Sequence, residues 1–291
     1  MILTSDFKYT LIAALIIFLL AAAYGARVAF KGRVHFDRIE RRGGSRLLGK
    51  GAMEFTYWCL EPAARLLVFI GTTPNQVSWA SLGFGFLAGG YLAVGHFGLG
   101  AVFAMISGLL DSLDGMVARI SGHASDAGEV LDAAVDRYVE FFFFSGLIIY
   151  YEEIPILQLL TLLALLGSFM VSYSTSKAEA LGIDLPQASM RRPERAVYLT
   201  FGAALSAVTI PWLESAHSQL SAPPGYPMVI ALGFVAGVAN VSAVQRFWSI
   251  AKAIRMREKD LAEAPIKMSE HDLIEEKDAS PMSHHPTGVQ R

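Results

Sequence analysis

Residues 111–136 read DSLDGMVARISGHASDAGEVLDAAVD. This stretch sets Asp111, Asp114, Arg119, Asp132 and Asp136 between two runs that are otherwise almost free of charge. Ionised side chains are costly in a bilayer, so the flanks decide how the stretch is read. The chain has 291 residues, 53% of them hydrophobic, and a mean hydropathy of +0.43. An apolar run of about 20 residues suffices to cross a bilayer as a helix. A ruler of that length finds candidate spans at roughly 9–30, 76–97, 99–121, 131–151, 155–181, 195–214 and 227–250. The expected fold class is therefore an all-α integral membrane protein.

Three segments differ from these spans. Residues 51–70, GAMEFTYWCLEPAARLLVFI, mix Glu54, Glu61 and Arg65 with Phe55, Trp58, Leu66 and Phe69. That mixture reads as an amphipathic helix lying in the membrane interface. Residues 31–50 are dense in Lys and Arg. This block follows the first apolar run instead of preceding it, so the run reads as an uncleaved N-terminal anchor and not a signal peptide. The tail from residue 257 is charged and poor in aromatics, the composition of a disordered cytoplasmic segment.

Orientation follows from the loops. The 31–50 segment, the 182–194 loop with Arg191 and Arg192, and the end of the last span with Arg246, Lys252, Arg255 and Arg257 are basic. The alternate loops GHFGLG, YEEIP and ESAHSQLSAPPGY hold no Lys or Arg. The two sets alternate as seven spans require, with the basic side cytoplasmic. Cys59 stands alone, which excludes an internal disulfide and a cysteine zinc site. The histidines form no H-E-x-x-H pattern, and no nucleic-acid partner is expected. Gly85 with Gly89, and Gly233 with Gly237, make GxxxG patterns expected to let helices of the bundle pack closely.

With the spans placed, Asp111 and Asp114 share one face of the third span, and Asp132 and Asp136 one face of the fourth. The loop between them is short, so the two helices are expected to be antiparallel neighbours with their carboxylates converging. Carboxylates brought together need positive charge. Hard divalent cations with oxygen ligands supply it, Mg²⁺ commonly bridging carboxylates and substrate phosphate. Arg119 can clamp phosphate oxygens, and Gly115 and Ala118 leave room for a ligand near the backbone. The implied chemistry is metal-assisted phosphoryl transfer facing the cytoplasm. A bland alternative treats each charge as a helix cap or interfacial anchor. A second treats the cluster as the ion site of a transporter, but a transport path needs ionisable groups on both sides, and here they crowd on one. A scaffold that has lost catalysis is a third.

The string also fits D-x2-D-G-x2-A-R-x8-G-x3-D-x3-D, filled by Asp111, Asp114, Gly115, Ala118, Arg119, Gly128, Asp132 and Asp136. In this it resembles the CDP-alcohol phosphotransferases, over about residues 51–257. The resemblance implies a six-helix transmembrane core with the interfacial helix before it, leaving residues 1–50 as an extra anchor and linker, 51–256 as the catalytic domain and 257–291 as tail. It implies transfer of a phosphatidyl-type group from a CDP-linked lipid such as CDP-diacylglycerol to a small alcohol, with release of CMP, by a homodimer in a bacterial inner membrane. By position, Asp111, Asp114, Asp132 and Asp136 would hold Mg²⁺ or Mn²⁺, and Asp136 would take the acceptor's hydroxyl proton. Gly115, Ala118, Arg119 and Ser125 would line the cytidine diphosphate, with Thr73, Pro74, Asn75 and Gln76 closing over it.

The acceptor is read from a second cluster. SYSTSKAEALG and SMRRPERAVYL resemble stretches of the phosphatidylinositol phosphate synthases. That implies inositol phosphate as acceptor, its phosphate held by Lys177, Arg192 and Arg195, with Arg191 adding to the pocket. Thr175 stands where those enzymes have lysine, and Lys177 where they have arginine. The same basic residues are also what positive-inside anchoring requires, and glycerol 3-phosphate or an amino alcohol such as serine are alternative acceptors.

Overall fold

The computed structural model describes residues 2–32, 49–186, 189–216 and 225–263. Among these residues every regular element is a helix: α1 (Ile2–Lys31), α2 (Gly49–Phe69), α3 (Pro74–Ala93), α4 (Phe97–Ser121), α5 (Asp126–Tyr150), α6 (Pro155–Ala180), α7 (Arg192–Ala216) and α8 (Tyr226–Glu263). Four stretches, Asp6–Lys31, Phe97–Ser121, Pro155–Ala180 and Tyr226–Asp260, are long and apolar enough to cross a membrane. They fall in α1, α4, α6 and α8. The other three expected spans correspond to α3, α5 and α7. Polar and charged residues along them, such as Asn75 and Gln76 in the first turn of α3 or Asp132, Asp136 and Glu140 in the first four turns of α5, dilute their hydropathy.

The helix ends beside the opening motif are set by local chemistry. Gly122 adopts the left-handed conformation (φ +71°) and closes α4, while the His123 N–H bonds back to the Ala118 carbonyl. A left-handed residue ends a helix at little cost only when it is glycine. Three residues later Ser125 starts α5, its hydroxyl accepting from the Gly128 N–H at 3.2 Å. At α3, Thr73 and Gln76 form a reciprocal capping box around Pro74, with the Thr73 N–H donating to Gln76 Oε1 at 2.9 Å.

Contacts divide the chain into two units, Met1–Trp248 and Ser249–Arg291. Within the first, α3 packs extensively on both α4 and α5, which touch each other only lightly. The expected pair of antiparallel neighbours is thus a three-helix layer with α3 between them. Small residues explain it. A Cβ on Gly146 of α5 would run into the backbone of Gly89, one on Gly89 into the Phe142 carbonyl, and one on Gly85 would come within 2.9 Å of Val139. Helix backbones in near contact gain van der Waals energy that apolar lipid cannot otherwise provide. Ser81 and Ser107 lock α3 to α4, each hydroxyl donating to the other's carbonyl at 3.0 and 2.8 Å.

The second glycine pair behaves differently. Gly233 and Gly237 meet no neighbour within 4 Å and instead line an open groove of about 390 Å³ with Phe234, Val241 and Gln245. The larger core joins Leu92, Phe97, Phe144, Leu147, Leu199, Met228, Leu232 and Val235. A smaller one seats α2 on α3 and α4 through Ala64, Val77, Leu113, Met116 and Val117, while Leu66 and Phe69 of the amphipathic helix stay exposed. α8 stays helical to Glu263, past the expected start of the tail at 257. Residues 33–48, 217–224 and 264–291, which include the basic linker and most of the tail, lie outside the described residues.

Candidate active site

Asp111 lies ten residues before the last residue of α4, and Asp136 ten after the first of α5. At 1.5 Å per residue both sit about 15 Å in from their helix ends. This shared depth lets side chains from two helices meet. Asp111, Asp132 and Asp136 each bring a carboxylate oxygen to within 4.8 Å of the others. Asp114, expected as a fourth ligand, is 6% exposed and turned toward α3, where Ser78 Oγ donates to its Oδ2 at 2.6 Å.

A cation already stands among the three. Arg192, the first residue of α7, places Nη1 2.7 Å from Asp111 Oδ1 and 2.6 Å from Asp136 Oδ1. Burial alone would lower the affinity of this guanidinium for its proton. Asp111, Asp136 and Glu140 outweigh that effect and hold its pKa above the ordinary arginine value. Asp132 Oδ1 is buried with no hydrogen-bond partner, and Asp136 Oδ1 has no aligned hydrogen bond. A buried carboxylate oxygen left without a partner, as at Asp132, is costly, and hard oxygen donors in this arrangement suit Mg²⁺ or Mn²⁺. The residues therefore fit a divalent ion.

The donor-side residues gather at the same end. A Cβ placed on Gly128 would meet Ser125 Oγ at 3.2 Å and Asn75 Oδ1 at 3.9 Å, so the starts of α3 and α5 adjoin. A Cβ on Gly115 would meet Arg119 Nη1 at 3.2 Å, so the guanidinium lies over the face that glycine leaves open. Thr73 and Gln76 are engaged in the α3 cap, with Pro74 at its first helical position. That leaves Asn75 as the residue of the four whose side chain turns toward α5.

The acceptor-side residues divide. Lys177 is exposed in the last turn of α6. Arg192 sits on the carboxylates. Arg195 does not match the phosphate-facing expectation: it is 0% exposed, and Glu140 Oε1 accepts from its Nε at 2.9 Å and lies 2.8 Å from its Nη2. Its Nη1 donates to the Met190 carbonyl at 3.0 Å and its Nη2 to Ser172 Oγ at 3.3 Å. Met190 adopts φ +66°, a left-handed conformation unusual outside glycine. The Arg195 bond and the Arg191 N–H donating to Glu194 Oε2 at 2.9 Å hold this turn at the start of α7.

Residues 71–250 match the CDP-alcohol phosphatidyltransferase family. The chain belongs to that family. Among curated relatives of this CDP-alcohol phosphatidyltransferase, the phosphatidylinositol phosphate synthase of Corynebacterium glutamicum is 30% identical over 176 residues, 58% of this chain and 80% of that protein. The synthase of Mycolicibacterium smegmatis is 34% identical over 158 residues, 52% of this chain and 71% of its own. The bifunctional IPC transferase and DIPP synthase of Aquifex aeolicus is 39% identical over 108 residues, 36% of this chain and 24% of that protein. Solved structures of Mycobacterium tuberculosis PgsA1 are similar too. The form with CDP-DAG bound has a TM-score of 0.55 at 26% identity, covering 65% of this chain and 92% of that one. The complex with manganese and citrate has a TM-score of 0.56 at 27% identity, covering 65% and 87%. The protein is thus a membrane-embedded phosphotransferase of phospholipid metabolism.

Three residues that hold side chains around the candidate site were not among its expected residues. Ser78 holds Asp114, and Glu140 holds Arg195. Arg246 of α8 donates from Nε to Ser174 Oγ at 2.9 Å, from Nη1 to the Pro186 carbonyl at 2.9 Å and from Nη2 to Thr175 Oγ1 at 3.2 Å, with Arg191 among its charged neighbours. Glu140 alone carried a usable signal. It follows Asp136 by four residues, as Arg195 follows Arg192 by three, so the acids and bases pair in two successive turns.

Proposed function

We propose that the protein transfers the phosphatidyl group of a CDP-diacylglycerol-type lipid to inositol phosphate, releasing CMP, at a cytoplasm-facing site that holds Mg²⁺ or Mn²⁺. The observation that carries this reading is Arg192 bridging Asp111 and Asp136. A guanidinium so placed does two jobs in turn. Without a divalent ion it neutralises carboxylates that would otherwise repel one another. With one, its charge is released for an anionic group close by, and a guanidinium grips a phosphate with paired hydrogen bonds. An acceptor carrying its own phosphate is what such an arginine suits. Arg191 and Arg246 add positive charge beside it, and Lys177 stands at the rim. Arg195 serves in this reading as the buried support of Arg192.

When bound, the metal would supply Lewis-acid stabilisation of the diphosphate, held by Asp111, Asp132 and Asp136 with Asp114 behind them. The chain's own residues do the rest. Arg119 and the open faces of Gly115 and Ala118 receive the donor's diphosphate, with Asn75 and Ser125 at its edge. Asp136 accepts the proton of the acceptor hydroxyl on a carboxylate oxygen. The acceptor oxygen forms its bond to the lipid-linked phosphorus as the bond to the CMP oxygen breaks, and CMP leaves. In the same reading residues 51–256 form the catalytic domain, and the working unit is a homodimer in a bacterial inner membrane.

Purified protein incubated with CDP-diacylglycerol, Mn²⁺ or Mg²⁺ and a panel of acceptors tests the proposal. CMP release with inositol phosphate and not with inositol is the expected result. CMP release with glycerol 3-phosphate or serine but none with inositol phosphate rejects the acceptor. Equal turnover with EDTA in place of metal rejects the metal site.

A further inference from the structure

Helix α1 precedes the residues that match the family, which begin at 71, and the site makes no use of it. Its contacts are nonetheless specific. Asp6 is 4% exposed. Its Oδ2 accepts from the Gly98 N–H at 2.8 Å and its Oδ1 from the Leu99 N–H at 3.2 Å. These belong to the first turn of α4, whose own N-cap residue, His96, makes no side-chain capping bond. The first N–H groups of a helix have no partner within it, and lipid cannot supply one. Asp6 supplies it from another helix, and its negative charge faces the positive end of the α4 dipole.

The approach is built for this purpose. A Cβ on Gly98 would lie 2.5 Å from the Asp6 carbonyl oxygen and 2.6 Å from Thr10 Oγ1. Thr10 is itself buried and donates to the Asp6 carbonyl at 3.1 Å. His96 Nδ1 stands 3.8 Å from Asp6 Oδ1. At its other end α1 is held by Tyr24, 9% exposed, whose ring lies 5.7 Å from Phe55 and 5.4 Å from Trp58 of α2. Tyr24 Oη also donates to Glu54 Oε2 at 3.4 Å. Between these points Leu11, Ile12, Leu15, Phe18 and Leu19 are more than half exposed and face outward. α1 therefore reaches from the first turn of α4 to the helix seated beside the site, and it packs on α7 as well.

We infer that α1 is a working part of the catalytic bundle, with Asp6 a positioning residue that fixes the axial register of α4 and so the place of Asp111 among the metal-binding carboxylates. A slip of α4 by one residue moves Asp111 about 1.5 Å along the axis and turns it by about 100°. Either displacement takes its carboxylate out of the cluster. Simple tethering would need neither a buried carboxylate at Asp6 nor a glycine at Gly98. The metal part of this inference rests on the proposed function; the cap does not.

The experiment uses the full chain in lipid nanodiscs, as wild type, Asp6→Asn and Asp6→Ala, with two readouts. Amide hydrogen exchange over residues 97–101 should quicken roughly 2- to 30-fold in Asp6→Ala, the range that loss of a helix cap implies, and less in Asp6→Asn, which keeps one acceptor oxygen. Mn²⁺ titrated by electron paramagnetic resonance should half-saturate at a concentration about 3-fold higher or more in Asp6→Ala, with Asp6→Asn between, as coupling through a packed helix allows. Unchanged exchange overturns the cap. Faster exchange with unchanged Mn²⁺ affinity overturns the positioning role and leaves α1 a structural prop. If wild type binds no Mn²⁺ at all, the metal reading of the site and the positioning role built on it fall together, and the exchange measurement still decides the cap. Should Asp6→Ala not insert, Asp6→Asn gives both readouts with smaller shifts in the same directions.

Discussion

Replacing Arg195 with methionine separates a buried support from a substrate ligand. The guanidinium is 0% exposed and binds Glu140, whose side chain is 11% exposed, with contacts of 2.9 and 2.8 Å. Arg195→Met takes its direct ion-pair partner from that carboxylate, which costs about 3–5 kcal/mol for a pair of this kind. The Met190 carbonyl loses its partner as well, adding about 1 kcal/mol. A 1 kcal/mol loss lowers the melting temperature by roughly 2–4 °C in a domain of this size. Arg195→Met should therefore melt about 10 °C or more below wild type in detergent. Glu140→Leu in the same chain removes the stranded charge and should recover at least half of the loss, because apolar replacement of a buried pair is often close to neutral. The coupling read from the four proteins should be at least about 2 kcal/mol. Below the melting range, the KM for a phosphorylated acceptor should stay within about threefold of wild type, since truncating a group with no transition-state contact leaves differential binding unchanged. Arg195→Met melting like wild type while raising the acceptor KM tenfold or more would refute the buried-support reading and put Arg195 on the acceptor phosphate.

Arg192→Gln should raise the KM for a phosphorylated acceptor about tenfold or more, the worth of a charge-assisted hydrogen bond, with the KM for CDP-diacylglycerol little changed; initial-rate kinetics on both substrates check it. Asp136→Asn should abolish CMP release while CDP-diacylglycerol still binds by calorimetry, and full activity would exclude Asp136 as the base. Gly146→Ala should lower stability by about 1–3 kcal/mol because its Cβ meets the Gly89 backbone, whereas Gly233→Ala, with nothing within 4 Å, should stay within about 0.5 kcal/mol of wild type or gain slightly; paired thermal melts decide. Burial pushes the Cys59 thiol above its ordinary pKa, leaving less thiolate at neutral pH, so maleimide should label it several-fold more slowly than a cysteine placed at exposed Lys177.

Much of the active site could be read along the chain because its spacings are local. Three and four residues bring carboxylates to one helix face, and a glycine and a serine three residues apart stop α4 and start α5. What could not be read is what depends on distant pairing. Arg192 and Arg195 are three apart on one helix and carry the same charge. The choice between lying on Asp111 and being sealed against Glu140 is made by α4 and α5, 81 and 55 residues away in sequence for the two bonds. Gly85 with Gly89 and Gly233 with Gly237 are the same pattern, yet only the first pair meets a helix, since a GxxxG repeat specifies a smooth face and not what covers it. The insertion of α3 between α4 and α5 was hidden for a related reason. A short loop makes two helices consecutive, while backbone contact at Gly89 and Gly146 decides which helix is the neighbour.

The bundle's interior charges obey one rule that ties these results together. Asp136 and Asp111 meet Arg192, and one turn deeper Glu140 meets Arg195. Each level of α5 thus presents an acid to a base of α7, but the two levels differ in access. The deeper pair is closed by Ser172 and the Met190 carbonyl, so its charges have every partner they need and nothing to exchange. The upper level is left unfinished: Asp132 Oδ1 has no partner, and one guanidinium nitrogen is shared between two carboxylates. An ion pair completed by protein groups stabilises and does little else, whereas carboxylates outnumbering their cation can take up a metal and release the arginine. The arithmetic of charge at equal depth therefore separates the reactive level from the structural one. It also says why the motif's acids cannot be balanced by adding a second arginine at that level. A cation bound there permanently would fill the place that the divalent ion needs, and Asp132→Arg should fold at least as well as wild type while binding no Mn²⁺.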